Sequence, residues 1–382
     1  MTLPLDYETL RLIWWLFLGI LLIGFAVMDG FDLGVGVLLP FVARTDTERR
    51  VMINTIGPVW EGNQVWLILG GGAVFAAYPP IYAAAFSGFY LAMFLTLVAL
   101  ILRPVGFDFR NKVADPRWRR LWDGGLFLGG FVPALVFGVA FGNLLRGVPF
   151  SLDQDLRVTY DGGFLGLLNP LGLLAGLLSV AMLVMHGAAY LNAKTDGLVQ
   201  ERAKTALRLG AVATLLLFVT GGLWMAWGGE GYVITSAVDT AGPSNPLLKD
   251  VAREPGAWLL NYSLHPWTLI APVLGLGGAV AAFLFSRTLA ERTTVLFSGL
   301  SVGGIIATAG VSLFPFLMPS NLDPKSSLTA WDATSSHFTL FVMMIATLIF
   351  LPIILAYTTF VFRVLRGKVT SRYVEDNSRH LY

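Results

Sequence analysis

The stretch Arg11-Leu12-Ile13-Trp14-Trp15-Leu16-Phe17-Leu18-Gly19-Ile20-Leu21-Leu22-Ile23-Gly24-Phe25-Ala26-Val27-Met28-Asp29-Gly30-Phe31-Asp32 runs from Leu12 to Met28 without a charge and then meets two carboxylates. A helix needs about 20 apolar residues to cross the hydrocarbon core of a bilayer. This run therefore reads as a transmembrane helix, over roughly 11–41, with a break expected at Asp29-Gly30. A charge near mid-membrane costs at least about 2.5 kcal/mol, so such an acid faces protein or a water path.

Working outward, the same pattern recurs. Eight further candidate spans lie at roughly 52–77, 81–103, 121–146, 164–191, 206–228, 267–286, 294–316 and 338–363. Hydrophobic residues make up 55% of the chain and charged residues 13%, outside the range of soluble domains. The expectation is an all-α polytopic membrane protein, one membrane domain of nine helices over 1–382. A net charge of +2 gives no reason to invoke nucleic acid. Asp6 and Glu8 stand where a signal peptide would carry basic residues, so the first helix is expected to be retained.

Basic residues orient the set. One side collects 20 of the 26, among them Arg44, Arg49, Arg50, Arg110, Arg119, Arg120, Lys194, Lys204, Arg287 and, in the tail, Arg379. The other side holds six: Arg11, Arg146, Arg157, Lys249, Arg253 and Lys325. The positive-inside rule then puts the N-terminus outside and the C-terminus in the cytoplasm. The longest connection, about 229–266, lies outside, with a short interfacial helix expected within 247–258. Trp224, Trp227, Trp258 and Trp267 flank it as an aromatic belt would.

The second intramembrane acid is Glu61, in Val59-Trp60-Glu61-Gly62-Asn63-Gln64-Val65-Trp66. At helical rise, Asp29 lies roughly 18 Å and Glu61 roughly 15 Å from the inner ends of their spans, at similar depth. Asp32 is i+3 from Asp29, on the same face and nearer the cytoplasm, and Arg103 caps the inner end of the third span. Pro58 removes an amide donor one turn before Glu61, while Asn63 and Gln64 add hydrogen-bonding groups. These residues form a polar ladder from the cytoplasm inward. It fits a proton path, or equally a lock in which the acids pair with buried donors and hold helices together.

Metal chemistry has little to stand on in this chain. With no cysteine, disulfides, Fe–S clusters, thiolate metal sites and c-type haem attachment are excluded together. Of the four histidines, His186 is near the inner end of the fifth span, His265 and His337 are at outer helix ends, and His380 is in the tail. No two share a helix face at a depth suited to axial haem ligation, so no metal ligand is assigned. The glycines of Gly30-Phe31-Asp32-Leu33-Gly34 read as close helix packing, since no strand precedes them to make a nucleotide loop.

The motifs Asp6-Tyr7-Glu8-Thr9-Leu10-Arg11, Asp29-Gly30-Phe31-Asp32-Leu33-Gly34, Trp60-Glu61-Gly62-Asn63-Gln64-Val65-Trp66 and Arg103-Pro104-Val105-Gly106-Phe107-Asp108 occur in that order. They are followed by Phe314-Pro315-Phe316-Leu317-Met318-Pro319-Ser320, Trp331-Asp332-Ala333-Thr334-Ser335-Ser336 and Leu381-Tyr382. Together they resemble subunit II of cytochrome bd-type quinol oxidases along the whole chain. The resemblance implies nine helices as two four-helix bundles plus a peripheral helix. It implies a heterodimer with a haem-bearing subunit I, which carries two haems b and one haem d, and leaves room for a small single-helix accessory subunit. The family complex oxidises quinol near the periplasmic face and reduces O2 to water with cytoplasmic protons. Subunit II supports its partner, contributes to proton access and in some members holds a quinone in an apolar cleft. Asp29, Glu61 and Arg103 match the family's proposed proton-path positions, with Glu61 standing where some members have Asp.

The expected function is thus a subunit of a quinol-driven terminal oxidase in aerobic respiration, embedded in the lipid bilayer. Its rivals are a proton-coupled secondary transporter, for which paired broken helices are missing, and a purely structural membrane subunit. The orientation has a direct test. Reporter fusions after Arg120, after Lys204 and at the C-terminus should report cytoplasm, and fusions near Ala241 and Pro324 the outside. A cytoplasmic signal from the 229–266 connection would overturn the nine-span arrangement.

Overall fold

In the computed structural model, which describes residues 3–288, 291–377 and 381–382, helix α1 (Tyr7–Val42) begins at a cap visible in the sequence. Asp6 accepts the Thr9 backbone N–H at 2.8 Å, satisfying one of the orphan donors of the first turn. Two residues counted above with the tail, Arg379 and His380, lie outside the described residues. α1 then runs unbroken through Asp29-Gly30. The break expected there is absent because Asp29 is held by a buried partner and Gly30 lets the Leu183 side chain approach closely. At 36 residues, α1 is roughly 54 Å long, well beyond the hydrocarbon thickness.

The second expected span is split. α2 (Asp46–Ile56) opens with a Thr45–Glu48 capping box and ends before Gly57-Pro58-Val59, where the proline forces a turn. α3 (Trp60–Ala77) follows. The third splits at Phe89 into α4 (Pro79–Gly88) and α5 (Tyr90–Phe109), so Arg103 lies inside α5 and does not cap its end. The long helices continue with α6 (Pro116–Arg146), α7 (Pro170–Lys194) and α8 (Gly197–Trp227). Then come α9 (Leu260–Leu264), α10 (Ile270–Phe285), α11 (Glu291–Leu313), α12 (His337–Val364) and α13 (Ser371–Asp376).

Among the described residues, eight helical segments are long and apolar enough to cross a membrane: α1, α5, α6, α7, α8, α10 with the turn before it, α11 and α12. α3 has the length, at 18 residues, but Glu61, Asn63 and Gln64 in its first turns lower its apolarity. The fold is all-α within these spans, with strands confined to their connections.

Three antiparallel hairpins gather at the ends of α6, α8 and α11: β1 (Phe150–Leu152) with β2 (Val158–Tyr160), β3 (Glu230–Ile234) with β4 (Val251–Pro255), and β5 (Phe316–Met318) with β6 (Leu328–Thr329). In place of the interfacial helix expected within 247–258, the centre is strand between two short 3-10 turns, because Val251 pairs with Ile234 and Glu254 with Gly231. Trp258 is not a belt residue either. It is 1% exposed and donates its indole N–H to the Leu145 carbonyl, whereas Trp227 and Trp267 are 83% and 75% exposed.

Helices approach closely through small residues. A Cβ on Gly34 would stand 2.0 Å from the Leu183 carbonyl oxygen of α7, and one on Gly187 2.6 Å from the Gly34 carbonyl carbon. Gly24 makes room for the Trp66 ring of α3, and Gly130 for the α1 backbone at Leu33. Gly147, at φ +88°, ends α6 in a conformation other residues rarely adopt.

Gly34→Ala should therefore cost at least the 1–3 kcal/mol typical of overpacking, because the obstacle is backbone. Gly62→Ala, with nothing within 4 Å of the added carbon, should leave the thermal midpoint of the purified protein unchanged or slightly raised. Equal midpoints for the two variants would contradict the close packing of α1 on α7.

Candidate functional site

Asp29 and Asp32 sit one turn apart on α1, and α5 and α3 each send a side chain to them. Arg103 of α5 grips Asp29 with both ends of its guanidinium, Nη1 to Oδ2 at 2.9 Å and Nη2 to Oδ1 at 2.8 Å. The same Nη2 lies 3.9 Å from Asp32 Oδ2, which also accepts the Asn63 amide N–H of α3 at 2.8 Å. All four residues are buried, Asp29 completely. The Trp60 ring stands 5.8 Å from the guanidinium carbon. Room for the arginine stem comes from α6, where a Cβ on Gly129 would fall 2.8 Å from Arg103 Cγ.

One guanidinium therefore faces two carboxylates. Asp29 has both oxygens engaged in a planar two-point pair, the strongest form of charge-assisted hydrogen bond. Asp32 has one oxygen bound, and its Oδ1 receives no donor from the described residues. Asp32 and Arg103 line a cavity of about 10 Å³, together with Ile53, Ile56, Phe107 and residues of α1 and α6. That space holds about one water molecule.

Glu61 does not join this cluster. It is exposed on the first turn of α3, two residues and so roughly 200° around the helix from Asn63. Gln64 is half-buried and also outside the bonded set. Depth along the helices, read from sequence, brought Asp29 and Glu61 to the same level, but the face each presents separates them. Asn63 and Asp32, the weaker candidates in the sequence, are the ones the fold brings to Arg103 and Asp29.

Three further buried ionic groups were legible only as topology charges. Arg110 donates to Asp123 at 2.6 Å and to Asp46 at 2.8 Å, while Arg49 and Arg119 complete the network on the same acids. Arg11, fully buried, has no acid partner among the described residues. Its guanidinium donates to Thr334 Oγ1, the Gly242 carbonyl, Ser244 Oγ and the Thr240 carbonyl, with its carbon 3.7 Å from the Tyr7 ring centre. Lys249 pairs with Asp332 at 2.7 Å, and burial pulls its ammonium below its ordinary pKa while Asp332 draws it back up.

Two of the histidines have ring nitrogens engaged by protein groups. His186 has Nδ1 bonded to Ser298 Oγ at 2.8 Å and Nε2 to the Val27 carbonyl at 2.9 Å, and His337 Nε2 is bonded to the Leu5 carbonyl. An apolar groove of about 480 Å³ does open between α1, α3 and α12, lined by Trp14, Phe17, Ile68, Met343 and Phe350 among others. Its Thr347 hydroxyl is spent on the Met343 carbonyl.

Residues 10–365 match the family described as Cytochrome bd terminal oxidase subunit II. The chain is 51% identical over 378 residues to cytochrome bd-I ubiquinol oxidase subunit 2 of Escherichia coli strain K12, covering 99% of this chain and all of that protein. It is 31% identical over 362 residues to cytochrome bd ubiquinol oxidase subunit 2 of Bacillus subtilis strain 168, covering 94% and 97% of the two chains. The solved bd oxidase of Geobacillus thermodenitrificans has a chain of similar fold, with a TM-score of 0.69 at 18% identity over 93% of this chain and 98% of that one.

Removing one partner of a buried ion pair costs about 3–5 kcal/mol, because the other charge stays behind. Arg103→Leu should accordingly destabilise the purified protein by about that amount, and exposed Glu61→Gln by no more than about 0.5 kcal/mol. Thermal midpoints of the two variants, measured side by side, check this. An Arg103→Leu midpoint equal to that of Glu61→Gln would mean the cluster does not hold the spans together.

Proposed function

This chain belongs to the cytochrome bd terminal oxidase subunit II family, and from that premise we propose that its Asp32–Arg103–Asp29 cluster carries protons inward from the cytoplasm for O2 reduction. The chain is a subunit of a quinol:O2 oxidoreductase of the respiratory chain, and the complex implies haems and a subunit I. Reducing O2 to water inside a membrane consumes protons, which protonatable groups in the low-dielectric interior supply.

The observation that carries the proposal is the unequal use of the two acids. Asp29, tied at both oxygens, orients Arg103. Asp32 keeps one oxygen free on a cavity of water size and is the group that exchanges the proton. Lock and path thus divide between neighbouring carboxylates. Glu61, on the open face of α3, would pass protons between this chain and subunit I, so its role depends on what packs against that face.

The remaining assignments rest on the same premise. Both haems b and haem d belong to subunit I, in keeping with the engaged ring nitrogens of His186. The groove between α1, α3 and α12 suits the isoprenoid tail of a quinone, gripped by apolar contact. The N-terminus faces the periplasm and the C-terminus the cytoplasm, as the basic residues favour.

Asp32→Asn and Glu61→Gln should each slow quinol-driven O2 consumption of the assembled complex by about tenfold or more, a loss of roughly 1.4 kcal/mol of transition-state stabilisation, with its haem spectrum retained. Asp29→Asn should first reduce assembly. Full turnover in assembled Asp32→Asn and Glu61→Gln complexes would remove the proton role.

A further inference from the structure

The segment Leu381-Tyr382 returns to α2 and is held there by side chains. Asn54 makes a two-point clamp on Tyr382, accepting its backbone N–H at Oδ1 at 3.0 Å and donating Nδ2 to its carbonyl at 2.7 Å. Arg50 Nε donates to the same carbonyl at 3.1 Å, and its Nη2 to the Leu381 carbonyl at 3.3 Å. Asn54 is 4% exposed and also donates to the Arg50 carbonyl, so the clamp is built into the helix.

The clamp sets the tyrosine ring over the break between α2 and α3. A Cβ on Gly57 would stand 2.5 Å from Tyr382 Cδ2, so the glycine leaves the space the ring occupies. The Tyr382 ring lies 5.7 Å from that of Phe107 and packs on the apolar cluster that contains Ile53, Ile56 and Phe107. Those three residues also wall the small cavity beside Asp32 and Arg103. Tyr382 is half-buried, with one side against that wall and the other outward. Burial, and then the negative charges of Asp108 and Glu61, hold its phenol above the ordinary tyrosine pKa.

We propose that Tyr382, docked by Asn54 and Arg50, is the gate between the cytoplasmic surface and the cavity beside Asp32 and Arg103. Docked, the ring seals the wall formed by Ile53, Ile56 and Phe107. Released, it opens the gap at Gly57-Pro58-Val59 and admits water to the Asp32 carboxylate. Tyr382 is a positioning residue, acting on access and not on the reacting atoms. Its role in turnover rests on the proton path proposed above, but its role as a cover does not.

The chain has no cysteine, so an Ile53→Cys variant places a single thiol of this chain in the cavity wall. In the assembled complex, selected by its haem spectrum, labelling of that thiol by a water-soluble methanethiosulfonate is followed by peptide mass mapping. Adding Tyr382→Ala or Asn54→Ala should speed labelling at least tenfold. Adding Tyr382→Phe, which keeps the ring and the backbone clamp, should leave it slow. Unchanged labelling in either alanine variant, or fast labelling in the phenylalanine variant, overturns the gate. Faster labelling with unaltered quinol-driven O2 consumption keeps the gate and counts instead against the proton path.

Discussion

The fold depends on a charge that has nowhere else to go. Arg103 is fully inside the bundle, and a guanidinium in that setting must be met by an anion and by enough acceptors for its forked donors. Asp29 supplies both in one stroke. The pairing fixes α5 against α1 at one height and one rotation. Asn63 then brings α3 to the same point through Asp32. Three helices are registered on one another by polar contacts in a region where apolar packing alone discriminates weakly between positions.

The glycines make that registration possible. The ionic contacts close only if the backbones come near enough, and Gly34 against Leu183, Gly130 against Leu33 and Gly129 beside Arg103 remove the side chains that would hold them apart. The small-residue spacing and the intramembrane acids, which looked like separate features of the sequence, serve one geometry.

How much of this could be read beforehand follows from what a sequence encodes locally. Spans, caps and the concern over buried acids are local: apolar run length gives the first, Asp6 and Thr45 the second, and a carboxylate in such a run the third. The family likeness was legible in ordered motifs. Facing was not. Glu61 and Asp32 are equally conspicuous in the chain, yet which one meets Arg103 depends on the helix break at Pro58 and the rotation it gives α3. The strand at Val251–Pro255 was hidden because its partner lies across the long connection at Glu230–Ile234. Arg11 was counted as one more outer charge, since nothing near it in sequence announces the neutral acceptors of 240–244 and Thr334.

The weak apolarity of α3 has a consequence for how the chain is made. A segment carrying Glu61, Asn63, Gln64 and the run Gly70-Gly71-Gly72 gains little by leaving the insertion machinery for lipid alone, since three polar side chains in its first turns offset the apolar residues that follow. α1 leaves the ribosome first with Asp29 and Asp32 exposed, and α5 follows later with Arg103. Asp29 and Asp32 of α1 therefore wait for their cation until α5 emerges with Arg103. The order of synthesis makes the first hundred or so residues a cooperative insertion unit, committed to the bilayer only when Arg103 arrives.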